Sequence, residues 1–141
     1  MQETVMQLLV WVTMTIGVSP LLPLPEVEHL PQAELNKMYI GSAGHGDLAG
    51  VYVHSNQTMY FPKGFTGKTK EDKATIVHEL VHHVQNVLDT GVPPCFNEAE
   101  AYLIEDVWRA QNGLPIRTNT QGFVNLMGMC VIKESSKRML K

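Results

Sequence analysis

Cysteine is scarce in this sequence, charge is thin, and no long clean apolar run occurs; each shortage removes a class of protein. There are two cysteines, Cys95 and Cys130, and neither sits in a C-x-x-C pair, so zinc ribbons and thioredoxin-like redox motifs are absent. One bridge between them would imply an oxidising compartment, and two buried thiols fit the sequence equally well. Charged residues are 18% of the chain, the formal charge is -3, and the basic residues cluster only in the tail Lys133, Lys137, Arg138 and Lys141. That balance argues against nucleic acid as a partner, and the tail reads as a solvated helix face. Residues 4–25 carry no charge, but only Gln2 and Glu3 precede them where a secretory signal needs positive residues. Gln7, Thr13 and Thr15 interrupt the apolar stretch, and Gly17 and Pro20 end it before about 18 apolar residues accumulate, so a packed helix is expected rather than a membrane span. Membrane association is not expected. The glycine-rich segment 41–46 lacks the Lys-Ser/Thr of a phosphate loop and reads as a plain turn.

What is present fits one globular domain spanning residues 1–141, with 44% hydrophobic residues and no repeat, low-complexity tract or linker. Residues 4–17 read as a helix, and the proline-rich stretch 20–31 as extended chain. A short helix is expected over 32–39. Residues 49–53 and 58–61, rich in Val, Tyr and Phe and joined by His54-Ser-Asn-Gln57, predict a β-hairpin. Thr69 followed by Asp72 resembles a capping box, and the periodicity predicts a helix over 70–88 that stops at Asp89-Thr90-Gly91. Its apolar residues point in several directions, which places it inside the domain. A further helix is expected over 97–111, ending at Asn112-Gly113, and a last helical pattern over 120–139. Strands early and helices late make an α+β domain.

The central helix carries the chemistry. It reads Ile76-Val-His-Glu-Leu-Val-His-His-Val-Gln85, so His78 and His82 stand one turn apart on one face. Two imidazoles at that spacing can meet one tetrahedral Zn2+ at about 2.0–2.1 Å each. Glu79 projects beside them, where a carboxylate can take a proton from water that the ion activates. Polar groups in a buried helix cost about 1–3 kcal/mol each when unpaired, and a metal gives them a partner. His83 points about 100° from His82 and reads as a group that supports the ligands or the structure rather than as a ligand. A catalytic zinc takes a third protein ligand, and the next candidates are Glu98 and Glu100 in Phe96-Asn-Glu-Ala-Glu-Ala-Tyr102. They face different sides of their helix, so at most one binds.

His-Glu-Leu-Val-His followed by Asn-Glu-Ala-Glu-Ala-Tyr resembles the gluzincin group of zinc metallopeptidases, in particular its short, minimal members. The resemblance covers about residues 48–112, and it implies a minimal zincin-like domain with a small sheet packed on the buried His-Glu-x-x-His helix. It implies His78, His82 and Glu98 as zinc ligands, Glu79 as general base, and a peptide or protein as substrate. Tyr102 stands where the group often has an aspartate that supports a zinc histidine. Support would then come from Glu100, Glu105, Asp106 or a backbone carbonyl. The resemblance also implies that residues 58–61 form an exposed edge strand that pairs with the substrate. Tyr60, Tyr102, His54 and His83 are candidates for stabilising an oxyanion. The same residues also fit a zinc-binding module that does not cleave and serves in protein binding or regulation.

Overall fold

The structure is a computed structural model and describes residues 1–38, 46–89, 94–118, 128 and 130. The elements run α1 (Gln2–Ile16), β1 (Glu26–Leu30), α2 (Gln32–Lys37), β2 (Val51–Val53), β3 (Thr58–Pro62), α3 (Lys70–Leu88), a 3-10 turn (Pro94–Phe96) and α4 (Asn97–Gln111). This is an α+β domain: the described residues form four α-helices and one three-stranded mixed sheet of order β1-β3-β2. The expected segments 41–45, 90–93 and, apart from residues 128 and 130, 120–139 lie outside the described residues.

α3 is the axis of the domain. The Thr69 side chain accepts from the Asp72 amide at 3.0 Å and opens the helix. The Asp72 carboxylate does not return to Thr69, as a full capping box requires, but accepts from Gly67 N–H at 3.0 Å and ties the incoming loop instead. Asp89, left-handed at φ 45°, closes the other end. Ala74, Ile76, Val77, Leu80, Val81 and Val84 are fully buried on several sides of the helix. Each of the larger ones contributes roughly 1.5–3 kcal/mol by leaving water.

Three partners cover that axis. α1 packs on it through Val5, Leu8, Leu9 and Val12, which answers what the apolar N-terminal stretch does in the fold. α1 ends at Gly17, whose φ of 92° lets its N–H bond Thr13 O. No helix among the described residues is long and apolar enough to cross a membrane. α4 covers the second side with Ala101, Ile104 and Trp108, and the sheet covers the third with Tyr52, Met59 and Phe61. On β3 the buried Met59 and Phe61 alternate with the half-buried Tyr60, as a strand's period of two requires. Gly50 leads into β2 at a close approach. A Cβ there would meet the Phe61 ring at 3.0 Å and Thr75 of α3 at 3.2 Å.

The hairpin forms as expected, with Val51 opposite Tyr60 and Val53 opposite Thr58. The expected edge strand does not. β3 is the middle of the sheet, because β1 pairs parallel along its other side from Glu26–Thr58 to Leu30–Pro62. The outer strand next to α3 is β2. Cys95 and Cys130 form a disulfide that links the turn before α4 to the distal chain.

Candidate metal centre

His78, Glu79 and His82 lie in the middle turns of α3, where packing on both sides holds the backbone. Glu98 stands in the first turn of α4, where a carboxylate also suits the positive helix end. The two helices bring His78, His82 and Glu98 together, each with one ligand atom within 4.8 Å of the others. His78 Nε2 lies 2.6 Å from Glu98 Oε1, and His82 Nε2 lies 3.4 Å from Glu98 Oε2. Ligands of a tetrahedral zinc at about 2.0–2.1 Å are themselves about 3.3–3.4 Å apart. The second separation has that value, and the first is the length of a charged hydrogen bond.

Both imidazoles are aimed by a second partner. His78 Nδ1 bonds Glu105 Oε1 at 3.0 Å. His82 Nδ1 donates to Gln85 Oε1 at 2.9 Å. The orientation of that amide is fixed, because Gln85 Nε2 donates to Asn97 O and to Glu100 Oε1, both at 2.9 Å. Each ring therefore turns Nε2 toward Glu98, the arrangement that orients histidines on a metal. Glu100 is not in the cluster; it serves it through Gln85. Glu105 fills the role that Tyr102 cannot, and the Tyr102 ring packs edge-on against His78 with centroids 4.7 Å apart.

Glu105 is wholly buried and anchors an ion-pair chain. Its Oε2 accepts from Arg109 Nε at 2.7 Å, and Arg109 in turn grips Glu71 on α3 at 2.5 and 3.2 Å. A line of charged bonds thus runs from Glu98 through His78, Glu105 and Arg109 to Glu71, across both helices.

A cavity of about 610 Å³ opens on the cluster, lined by His78, Glu79, His82, Glu98 and Tyr102 and by Gly50, Val51, Tyr52 and His54 of the β2 side. Glu79 is buried, lines this cavity, and accepts no hydrogen bond from any described residue. Burial is the main cause that raises its pKa, against the pull of His78 and His82. His54 and Tyr102 also line the cavity. The other two oxyanion candidates do not. His83 is fully buried, bonded to the Tyr52 hydroxyl and to Pro23 O at 2.8 Å each, and Tyr60 takes a hydrogen bond from Asn56. Gln85 and Arg109 carry no ligand motif in the sequence, and the signal that points to them is spacing alone: Gln85 follows His82 by three residues on one helix face, and Arg109 follows Glu105 by four.

A sequence profile described as "Domain of unknown function (DUF6647)" matches residues 1–135. The chain belongs to this family. No curated protein and no solved structure matches it. In this member of DUF6647 the matched stretch contains every residue of the cluster and of its supporting bonds.

Charge in the centre is arranged around a proton or a cation. Burial opposes a charge on His78, but the Glu105 and Glu98 carboxylates outweigh it and push its pKa up to about 10. His82 is raised for the same reason, with burial opposing and Glu98 prevailing. Burial would raise Glu98 and Glu105, yet the histidines, and Arg109 for Glu105, hold both below the usual carboxylate range. The raised His78 stabilises the fold fully below its unfolded pKa near 6.5, and this contribution is lost as pH rises toward 10. The depressed carboxylates stabilise above 4.5 and lose their contribution as pH falls. Chelator-treated protein is therefore expected to resist urea better at pH 6 than at pH 9. That difference should shrink in His78→Gln; an equal difference in the variant would show that the cluster is not its source.

Proposed function

We propose that this protein is a zinc-dependent hydrolase of peptide bonds. The observation that carries the reading is the convergence of His78 Nε2, His82 Nε2 and the Glu98 carboxylate, with Glu79 beside them in the same cavity and without a hydrogen bond from any described residue. The donor set suits the ion: two neutral-capable imidazoles and one carboxylate are one of the usual sets of three protein ligands of a catalytic zinc. His78, His82 and Glu98 would hold it, with Glu105 and Gln85 fixing the rings. A zinc ion bound there supplies Lewis acidity and makes water easier to deprotonate. The resemblance of these two motifs to the gluzincins supports the same assignment.

The chain's own residues then have distinct tasks. The Glu79 carboxylate takes a proton from water in the cavity, and burial brings its pKa closer to the working range of a general base. The water oxygen adds to the peptide carbonyl carbon, and as the C–N bond breaks the same carboxyl returns the proton to the departing amine. The substrate peptide lies along β2, the outer strand on the cavity side, where main-chain hydrogen bonds extend the sheet. β3 cannot take that part, since strands occupy both its edges.

Metal content of the purified chain tests the ligand set. One zinc per chain is expected in the unsubstituted protein and none retained by Glu98→Ala after dialysis. Glu100→Ala should keep zinc, weakened at most about 10- to 100-fold through Gln85. Zinc held by Glu98→Ala and lost by Glu100→Ala would reverse the assignment.

A further inference from the structure

Arg117 lies just beyond α4, and its position is built by a buried carboxylate. Asp106 accepts from the Arg117 amide at 2.8 Å, from the Thr118 amide at 3.2 Å, and from the Thr118 hydroxyl. Two consecutive amides on one buried carboxylate tie this segment to the helix. The guanidinium ends over the Tyr102 ring, 6.0 Å from its centroid, and the same ring packs against His78. One aromatic ring therefore separates Arg117 from the metal cluster. Among the described residues lining the 610 Å³ cavity, Arg117 is the single lysine or arginine. It also lines an adjoining cavity of about 630 Å³, which meets the first along Asp47, Leu48, Ala49 and Thr75.

Among the described residues Arg117 has one carboxylate within ion-pair distance. Its nearest carboxylate oxygen, Glu105 Oε2, is 3.6 Å away and already accepts from Arg109, while Glu105 Oε1 is taken by His78. Arg109, which lines the adjoining cavity, is buried and committed to Glu71, Glu105 and Pro115 O. The Arg117 side chain is 49% exposed. It presents a planar fork of donors to a space walled also by the carboxylates Asp47, Glu79, Glu98 and Glu105 and by the imidazoles His54, His78 and His82. The His78 and His82 imidazoles there already face Glu98 and Glu105, so this fork is where an entering carboxylate can be bound through two parallel hydrogen bonds.

We propose that Arg117 determines specificity by binding a carboxylate of the peptide, within about three residues of the bond to be cut. The distance follows from the two ring separations laid end to end, which extended chain spans in about three residues at roughly 3.3–3.6 Å each. The proposal rests on the peptidase reading of the metal cluster. The carboxylate can be the peptide's own C-terminus or an Asp or Glu side chain, which share this chemistry.

The test uses zinc-loaded full-length protein carrying Glu79→Gln, so that binding is read without turnover. Three probes are titrated by calorimetry: N-acetyl-pentaalanine as the free acid, as the amide, and as the amide with a penultimate glutamate. One acidic probe is expected to bind about ten- to a hundredfold tighter than the neutral amide. Preference for the free acid identifies the C-terminus, and preference for the glutamate peptide identifies a side chain. Arg117→Gln should abolish that preference with zinc content and binding of the neutral amide unchanged, and Arg117→Lys should keep part of it. Equal binding of all three probes, no binding, or a preference that survives Arg117→Gln overturns the proposal. Failure of the peptidase reading looks different: the Arg117-dependent preference persists, and protein with Glu79 intact cleaves nothing.

Discussion

Glu79→Gln is expected to lower peptide hydrolysis by about 10²- to 10⁴-fold while zinc content stays at one ion per chain. Glutamine preserves the shape of the side chain and its place in the cavity, but its amide cannot take a proton. The loss should therefore appear in turnover far more than in metal retention or stability. Glu79 makes no hydrogen bond or ion pair with any described residue, so the substitution breaks no such bond among them. It also removes a buried carboxylate whose charge burial disfavours, and the variant should fold at least as well as the parent. Single-turnover hydrolysis together with zinc analysis checks both halves. A variant that cleaves at the parental rate would remove Glu79 from the chemistry. If the unsubstituted protein binds zinc and cleaves no peptide, the centre belongs to a binding or regulatory module instead.

The sequence was most legible where a signal is local. Thr69 and Asp89 bound α3 because a hydroxyl cap and a left-handed stop are written within a few residues of the ends they make. The four-residue spacing of His78 and His82 is likewise a property of one helix, and it put both rings on one face. Glu98 required an incoming second helix, and the resemblance to a known motif supplied what spacing alone left open between Glu98 and Glu100. Long-range partners were harder. β1 carries only the signal of extended chain, since Glu26-Val-Glu-His-Leu30 sits between prolines and buries none of its residues fully. Its pairing with β3 is set by a connection through α2 and β2, which no local pattern encodes. That one unseen strand turned an expected edge into the sheet's centre. Glu105 was one of four possible supports for the histidines, and what selects it is its place two turns beyond Glu98 on the α4 face turned to α3.

Removing Glu105 is expected to cost more stability than any other single change in the centre, about 3–5 kcal/mol for Glu105→Ala. The carboxylate is fully buried and bonded at both oxygens, to His78 Nδ1 at 3.0 Å and to Arg109 Nε at 2.7 Å. Its loss leaves a buried guanidinium with Glu71 as its remaining ion-pair partner, and a buried imidazole without its acceptor. The desolvation of both groups is then offset only by partners that are themselves more exposed, Glu71 and Glu98, so the loss is costlier than the pair was stabilising. Zinc affinity should fall about 10- to 100-fold in the same variant, since His78 is no longer aimed at Glu98. Glu105→Gln keeps an oxygen for His78 Nδ1 and the side-chain volume, so it should lose less of both. Urea titration in chelator and zinc competition measure the two effects separately. Because His78 connects them, they should move together across Glu105→Gln and Glu105→Ala. A stability loss with unchanged zinc affinity would show that the ion-pair chain braces the two helices without orienting the metal-binding ring.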